Sequence, residues 1–263
     1  MKLSAAVLVA AATLFAFAAP AGAVDGTIEI NQAKVMAAGG FPYTITTSGS
    51  YRLTGQLTVS STTTDAIDVN TSNVTIDLNG FLIVGPGASS AADGINATSV
   101  QAVTVENGLV IGFKVGVSVG LFGIVRNVHA DKNVNIGIQG ANNTVVQGCT
   151  ANNTSEGYGI ECSGGGCAIS GNTANGNVQA GINCTGNGCV ISNNTAIADG
   201  LVGIACGSSG CLISGNTAFN NLVGIGMDDA TSGYGGNVMD NNSTSNHSGG
   251  TSLGNNLCSG TVC

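Results

Sequence analysis

The segment "GINCTGNGCVISNNTA" at residues 181–196 decides the fold, because the chain repeats it in one frame. A second copy, "GIECSGGGCAISGNTA", begins at Gly159, and a third, "GIACGSSGCLISGNTA", begins at Gly203, so the copies follow one another every 22 residues. Each copy holds two cysteines with four residues between them. A fixed period in this range is typical of a solenoid, in which each repeat packs only against its neighbours.

The frame extends beyond the cysteine-containing copies. A Gly-Ile pair or a close relative recurs at steps of 28, 22, 21, 22, 22, 22 and 21 residues, at Ala66-Ile67, Gly94-Ile95, Gly116-Val117, Gly137-Ile138, Gly159-Ile160, Gly181-Ile182, Gly203-Ile204 and Gly224-Ile225. The longest step contains an insertion, "VGPGASSAAD", at 84–93. Apolar residues alternate within the units, as in "VTIDL" at 74–78, and frequent Gly and Asn would destabilise a helix. The pattern therefore predicts short strands that stack in parallel, ~4.8 Å apart.

Aligning the units predicts columns of equivalent residues. An inward column is expected at Ile76, Val105, Val125, Val146, Ile169, Ile191 and Ile213, with an outward column one residue later at Asp77, Glu106, Arg126, Gln147, Ser170, Ser192 and Ser214. Two residues further on come Asn172, Asn194 and Asn216. Asparagine tolerates the left-handed backbone of a tight corner, and stacked asparagines can form a hydrogen-bonded ladder.

The spacing of "VTIDLNG", "VISNNTA" and "GIN" resembles that of the right-handed parallel β-helix proteins, the pectate-lyase-like superfamily, over roughly residues 43–245. The resemblance implies an all-β chain that forms a single right-handed parallel β-helix of about nine coils. We expect residues 24–42, which include "IEINQAKVMAAGG", to cap the N-terminal end, because an exposed stack end invites aggregation. Residues 246–263 are expected to form a C-terminal tail that carries a cysteine pair.

Residues 1–23 have the organisation of a secretory signal peptide. Lys2 precedes an uncharged apolar run that ends in Ala21-Gly22-Ala23, a small-residue cleavage site. We therefore expect a secreted or periplasmic protein without a membrane span. The formal net charge is −8 with only 6 Lys and Arg residues, so nucleic acid is excluded as a partner and a polyanion would be repelled unless a cation bridged it.

In a secreted chain the nine cysteines predict local disulfides. Pairs five residues apart are expected to bridge and close Gly-rich corners, at Cys162–Cys167, Cys184–Cys189, Cys206–Cys211 and Cys258–Cys263, which leaves Cys149 free in the place of a ladder asparagine. Pairing between neighbouring coils and a column of metal-binding sulfurs are the alternatives. No metal site is predicted, since metal sites often include histidine and both histidines, His129 and His247, lie outside the cysteine coils.

One candidate for catalysis is the outward column of Asp77, Glu106 and Arg126, although aligning Asp77 with Glu106 requires a one-residue shift. Acidic β-helix lyases use neighbouring carboxylates to hold Ca²⁺ and a basic side chain to take the proton. The resemblance therefore implies a Ca²⁺-dependent polysaccharide lyase with Arg126 as the base, and no cofactor is expected outside that possibility. A surface ladder of ion pairs is the simpler interpretation of the same residues.

The residue after each Gly-Ile pair forms a second outward column, which we call the polar strip: Asp68, Asn96, Ser118, Gln139, Glu161 and Asn183. Such a strip suits sugar hydroxyls, although a solvated sheet face has the same composition. The "GVSVG" around Ser118 matches a nucleophile elbow only superficially, because the repeat frame places the serine within a strand. Our leading hypothesis is a carbohydrate-associated binding or structural module of the cell envelope or extracellular space, with a polysaccharide lyase or glycoside hydrolase as the alternative.

Overall fold

The computed structural model describes residues 26–263, so the predicted signal peptide lies outside the described residues. Two sheets run the length of the chain, one of ten strands and one of twenty. Strands are numbered in chain order. The ten-stranded sheet consists of β2 (Tyr43–Ile45), β5 (Ile67–Val69), β8 (Asp93–Ala97), β10 (Val115–Val119), β12 (Ile136–Gly140), β15 (Tyr158–Cys162), β18 (Ala180–Cys184), β21 (Val202–Cys206), β24 (Val223–Met227) and β27 (Ser245–Ser248).

The twenty-stranded sheet takes in two rows of short strands. It consists of β1 (Thr27–Ile30), β3 (Gly49–Leu53), β4 (Leu57–Thr58), β6 (Val74–Asp77), β7 (Leu82–Val84), β9 (Val103–Ile111), β11 (Ile124–Asp131), β13 (Val145–Gln147), β14 (Thr150–Asn152), β16 (Ala168–Ser170), β17 (Thr173–Asn175), β19 (Val190–Ser192), β20 (Thr195–Ile197), β22 (Leu212–Ser214), β23 (Thr217–Phe219), β25 (Gly233–Gly235), β26 (Val238–Asp240), β28 (Thr251–Ser252), β29 (Leu257–Cys258) and β30 (Thr261–Val262). The long strands β9 and β11 pair with strands of both rows and so join them into one sheet.

The chain is a parallel β-helix, as the repeat predicts. Successive turns pair in parallel, and the predicted inward column is in direct register from Ile76 through Val105 and onward to Ile213. Every member of that column is fully buried in the core. The column forms because alternate residues of a strand point to opposite faces, so one apolar residue per strand reaches the same interior line in each turn.

The helix has about eleven turns, rather than the nine predicted. The extra turns lie at the two ends, where no Gly-Ile pair marks the repeat. At the N-terminal end β1 pairs with β3, and at the C-terminal end β26 pairs with β29. Parallel pairing therefore runs past the predicted boundaries at residues 42 and 245.

A single short helix, α1 (Gln32–Ala37), lies among the described residues, inside the segment predicted to cap the N-terminal end. The Asn31 side chain caps it by accepting a hydrogen bond from the Lys34 amide at 3.0 Å, and Val35 is buried in the core cluster. Nowhere in residues 26–263 does a helix have the length and apolar character needed to cross a membrane.

Two ladders of polar side chains run inside the helix at its corners. The first ladder consists of Asn172, Asn194, Asn216, Asn237 and Asn256, two members longer than predicted. In each step a side-chain amide donates to the Oδ1 atom of the next member at 3.0–3.1 Å. The second ladder consists of Asn177, Asp199, Asn221 and Asn242. It was not predicted from the repeat.

One expectation about the first ladder is wrong. The ladder asparagines do not have left-handed backbone; the residue before each of them does, namely Gly171 (φ 65°), Asn193 (φ 56°) and Gly215 (φ 67°). The reason is that two adjacent residues have different roles at the corner. The left-handed residue is exposed and turns the chain, and the side chain of the following asparagine points inward, where it bonds the backbone of the neighbouring turn.

The structure pairs the cysteines within each turn, as Cys162–Cys167, Cys184–Cys189, Cys206–Cys211 and Cys258–Cys263. Cys149 is free and buried, and its backbone amide donates to Asn172 Oδ1 at 2.8 Å, which puts it at the head of the first ladder. Burial raises the pKa of the Cys149 thiol to about 11.

Candidate functional site

The polar strip lies on the outer face of the ten-stranded sheet. Its members are direct partners from strand to strand: Asp68 with Asn96, Asn96 with Ser118, Ser118 with Gln139, Gln139 with Glu161, and Glu161 with Asn183. The next two positions in the same register are the small residues Ala205 and Gly226. The structure therefore brings all six predicted strip residues together in one line.

The strip is more enclosed than an exposed sheet face. Ser118 is fully buried, and Asn183 is 7% exposed. The Ser118 hydroxyl donates to Gln139 Oε1 at 3.2 Å, and Gln139 Nε2 donates to Glu161 Oε2 at 3.1 Å. Desolvation raises the pKa of the Glu161 carboxyl, and the hydrogen bond from Gln139 offsets part of the rise. Three neighbouring turns thus hold their polar atoms in a fixed array.

Two clefts open along this face. The first, the Ser118 cleft, has a volume of about 230 Å³ and is lined by Thr98, Ser118, Gln139 and Ser163, among others. The second, the Asn183 cleft, has a volume of about 250 Å³ and includes Tyr158, Gln179, Asn183, Leu201, Val202, Ala205 and Asp228. The Asn183 cleft forms where Ala205 and Gly226 follow Asn183 in register, because small side chains leave space above the sheet.

A cluster of three carboxyl groups lies at the N-terminal end of the strip. Asp65 accepts hydrogen bonds from the Asp93 amide at 2.7 Å and from Asn96 Nδ2 at 3.1 Å. Desolvation, followed by a hydrogen bond and charge repulsion from Asp65, raises the pKa of Asp68 to about 6. Desolvation and the charge of Asp65 also raise the pKa of Asp93 to about 6, against the opposing effect of Lys114.

Asp65 and Asp93 were not among the predicted site residues. The signal was present, because both residues stand two positions before the inward isoleucine of their repeat, Ile67 and Ile95, and those isoleucines pair. One oxygen of Asp68, Oδ1, is buried without a hydrogen-bond partner among the described residues. The cluster therefore combines Asp65, whose two carboxyl oxygens both accept hydrogen bonds, with Asp68 and Asp93, whose carboxyl groups hold protons at mildly acidic pH.

The column of Asp77, Glu106 and Arg126 lies on the other sheet and is straight, with Asp77 paired to Glu106 and Glu106 to Arg126. Both arginines nearby are engaged in ion pairs. Arg126 Nε contacts Glu106 Oε2, and Arg52 Nε lies 3.4 Å from Asp77 Oδ2. Asp77 Oδ1 also accepts from the Asn79 amide at 2.9 Å, so the carboxylates that would hold Ca²⁺ already have partners.

The disulfide sulfurs form a dense column inside the helix. The sulfurs of Cys162, Cys167 and Cys189 lie within 4.8 Å of one another, as do those of Cys184, Cys189 and Cys211. All five of these cysteines are buried and belong to within-turn bridges, so their thiolates are not available as metal ligands while the bridges are intact.

Comparisons with known proteins give only distant structural likenesses. No family model matches the chain, and no curated protein matches it. The solved structure of the Dettilon tailspike protein (gp208) is similar, with 17% identity, a TM-score of 0.42, and coverage of 80% of this chain and 50% of that chain. The Agl-KA catalytic domain is similar with 11% identity, a TM-score of 0.40, and coverage of 86% and 63%. The chain thus spans less than two thirds of the length of either protein.

Proposed function

We propose that the chain is a carbohydrate-binding β-helix module of the cell envelope or extracellular space, and that the polar strip and its two clefts hold an extended polysaccharide. The observation that carries the proposal is the unbroken register of six polar side chains on one sheet, from Asp68 to Asn183. Sugar hydroxyls both donate and accept hydrogen bonds, and amide, hydroxyl and carboxylate groups match them. A polymer with a repeating unit can meet the same kind of contact in successive turns.

The charge and shape of the face favour an uncharged polymer. Asp68 and Glu161 belong to the strip and Asp228 lines the Asn183 cleft, whereas no lysine or arginine among residues 26–263 lines either cleft. A polyanion such as a polyuronate would be repelled from such a face. Tyr158 adds an aromatic ring to the Asn183 cleft, against which the apolar face of a sugar ring can pack. The four disulfides support a location outside the cytoplasm.

The proposal is tested by a glycan-array screen with and without Ca²⁺, followed by calorimetric titration of any polysaccharide that binds. The double variant Gln139→Ala/Glu161→Ala should lose affinity for that polysaccharide. Ser192→Ala is the matched control, because Ser192 points outward from β19 of the other sheet. Binding that is unchanged in the strip variant would show that the polymer lies elsewhere.

A second candidate function, glycoside hydrolysis, is favoured by one observation, the raised pKa values of Asp68 and Asp93 beside Asp65. A glycosidase needs one carboxyl group that stays protonated to donate to the leaving oxygen and another that is ionised. Asp65 accepts two hydrogen bonds, which suits the ionised role, and Asp68 or Asp93 suits the acid. A reducing-end assay on each bound polysaccharide tests this, and no release of reducing ends would leave binding alone as the activity.

A further inference from the structure

Asp199 occupies a buried position that the neighbouring turns fill with an uncharged polar side chain. The equivalent residues are Thr154, Asn177, Asn221 and Asn242, linked through hydrogen bonds from the backbone amide of each residue to the next side chain. Asp199 is 2% exposed, and its Oδ1 atom accepts from both the amide and Nδ2 of Asn177 at 2.9 Å. Asp199 Oδ1 therefore accepts the same hydrogen bonds that an asparagine Oδ1 accepts in the neighbouring turns.

The second oxygen takes the place of an amide nitrogen. In the other turns an asparagine Nδ2 atom packs over the glycine of the Gly-Ile pair, Asn177 over Gly159 and Asn221 over Gly203. At Gly181 the atom in that place is Asp199 Oδ2. This oxygen is buried and has no hydrogen-bond partner in the part of the chain that the structure describes. The ladder thus has an acceptor at a point where its geometry calls for a donor.

The groups that face this point are acceptors too. Asn221 Nδ2 donates to the Ala196 carbonyl at 3.2 Å and to Asn242 Oδ1 at 3.1 Å. Asp199 lies one turn before Asn221. By the same register its Oδ2 atom faces the Ala174 carbonyl and Asn221 Oδ1, which are both acceptors. An ionised Asp199 would set its second oxygen against two acceptors, whereas a protonated one supplies a hydrogen that either can accept.

The turn around Asp199 also carries backbone strain. Ala198 has left-handed backbone with φ 54°, where the equivalent residues of the two adjacent turns are Gly176 and Asn220. Alanine lacks both the freedom of glycine and the local hydrogen bonding of asparagine in this region, so it is strained there. The following residues, Leu201 and Val202, form part of the wall of the Asn183 cleft.

We propose that Asp199 is a pH-sensitive latch: as the neutral acid it closes the second ladder, and as the carboxylate it opens the turn at 198–202 and with it one wall of the Asn183 cleft. The latch follows from the ladder and holds whatever the cleft binds. Its use to release a polysaccharide at raised pH is a consequence that rests on the proposed function.

The electrostatic surroundings agree with this assignment. Burial raises the pKa of Asp199 to about 7, and the two hydrogen bonds from Asn177 offset only part of the rise. Asn177, Ala174 and Gly181 from the preceding turn and Asn221 from the next are uncharged, so no ion pair supports the carboxylate. Because the folded pKa is raised from 3.8, the stabilisation by the neutral acid is complete below about pH 4 and is lost as the pH rises through about 7.

Thermal unfolding and hydrogen–deuterium exchange at pH 5 and pH 8 test the latch in the wild type, in Asp199→Asn and in Asn216→Asp. From pH 5 to pH 8 the wild-type melting temperature should fall by roughly 5–10 °C more than that of Asp199→Asn. Protection of the amides at 198–203 should fall about tenfold in the wild type alone. Asp68, Asp93 and Glu161 also titrate, but they are present in both proteins and cancel in the difference.

Asn216→Asp is the converse variant, because it puts the same carboxyl group into the first ladder, where Asn216 is equally buried. It should create a new loss of protection at 214–218 between the two pH values. The latch is overturned if Asp199→Asn keeps the wild-type pH dependence, or if it is less stable than the wild type at pH 8. Neither readout involves a polysaccharide, so a failure to bind carbohydrate and a failure of the latch are separate results.

Discussion

Gln139 Nε2 donates to Glu161 Oε2 at 3.1 Å, and the two residues are direct partners on β12 and β15. Ser118 extends this contact to a third turn through its bond to Gln139 Oε1. The side chains hold one another in place before any ligand arrives, so little side-chain entropy remains to be lost on binding. A preorganised array of this kind is the physical reason to expect measurable affinity without a wide aromatic surface.

Replacing both residues should weaken polysaccharide binding. In Gln139→Ala/Glu161→Ala we expect the affinity to fall about tenfold, since one neutral and one charged hydrogen-bonding group are lost at about 0.5–1.5 kcal/mol or more each. Arg126→Ala should change the affinity less than twofold, because Arg126 lies on the other sheet. Isothermal titration measures both, and equal losses in the two variants would contradict a site on the strip.

The carboxyl cluster gives a hydrolase a defined pH profile. If Asp68 or Asp93 is the general acid, the rate should fall as the pH rises through about 6, because the acid form is then lost. One of the two single variants, Asp68→Asn or Asp93→Asn, should remove most of the reducing-end release while the polysaccharide still binds. A rate that increases steadily from pH 5 to pH 8 would exclude these residues as the acid.

The column of Asp77, Glu106 and Arg126 on the twenty-stranded sheet should have a structural role and no catalytic one. Arg126→Ala removes an ion pair whose arginine is 50% exposed, so the free energy of unfolding should change by no more than about 1 kcal/mol. We expect no unsaturated oligosaccharides from uronate polymers with Ca²⁺, because Arg126 and Arg52 are paired with the column's carboxylates. Ca²⁺-dependent release by the wild type that Arg126→Ala abolishes would restore the lyase hypothesis.

The sequence predicts those features that recur in every turn. Ile76 to Ile213 and the strip from Asp68 to Asn183 could be aligned because each residue has an equivalent one period away, and the register of a buried strand tolerates no slip. The additional turns at the two ends could not be predicted from the repeat. β1 pairs with β3, and β29 pairs with β26, through backbone hydrogen bonds, and these need no Gly-Ile pair.

Features that depend on side-chain contacts between repeats were not predictable in this way. Asp65 and Asp93 stand at equivalent positions of their repeats, 28 residues apart, so their places were visible, but the contact between the two residues was not. Asp199 stands 22 residues after Asn177 and 22 before Asn221, so its place was visible, but its burial was not. Polarity in a sequence does not reveal whether a side chain faces water or a neighbouring turn.

The disulfide pattern predicts one free thiol per chain. Alkylation in denaturant without reductant, followed by mass spectrometry, should modify Cys149 alone, because the other eight cysteines form four bridges. In native buffer at pH 8 even Cys149 should react slowly, since it is buried and its pKa is raised to about 11. Five or more modified cysteines without reductant would disprove the within-turn bridges.

The first ladder should contribute far more stability than the corner residues beside it. Asn194 accepts hydrogen bonds from the Asn172 amide at 2.9 Å and from Asn172 Nδ2 at 3.0 Å, and itself donates to the Ile169 carbonyl at 2.9 Å. Asn194→Ala leaves these buried groups without partners, so we expect a loss of about 2–4 kcal/mol in the free energy of unfolding. Asn193→Gly is the matched control, because Asn193 is exposed and left-handed, a conformation that glycine adopts freely, and it should stay within about 0.5 kcal/mol of the wild type. Urea unfolding at constant m-value measures both variants, and similar losses at 193 and 194 would show that the corner, and not the ladder, holds the turns together.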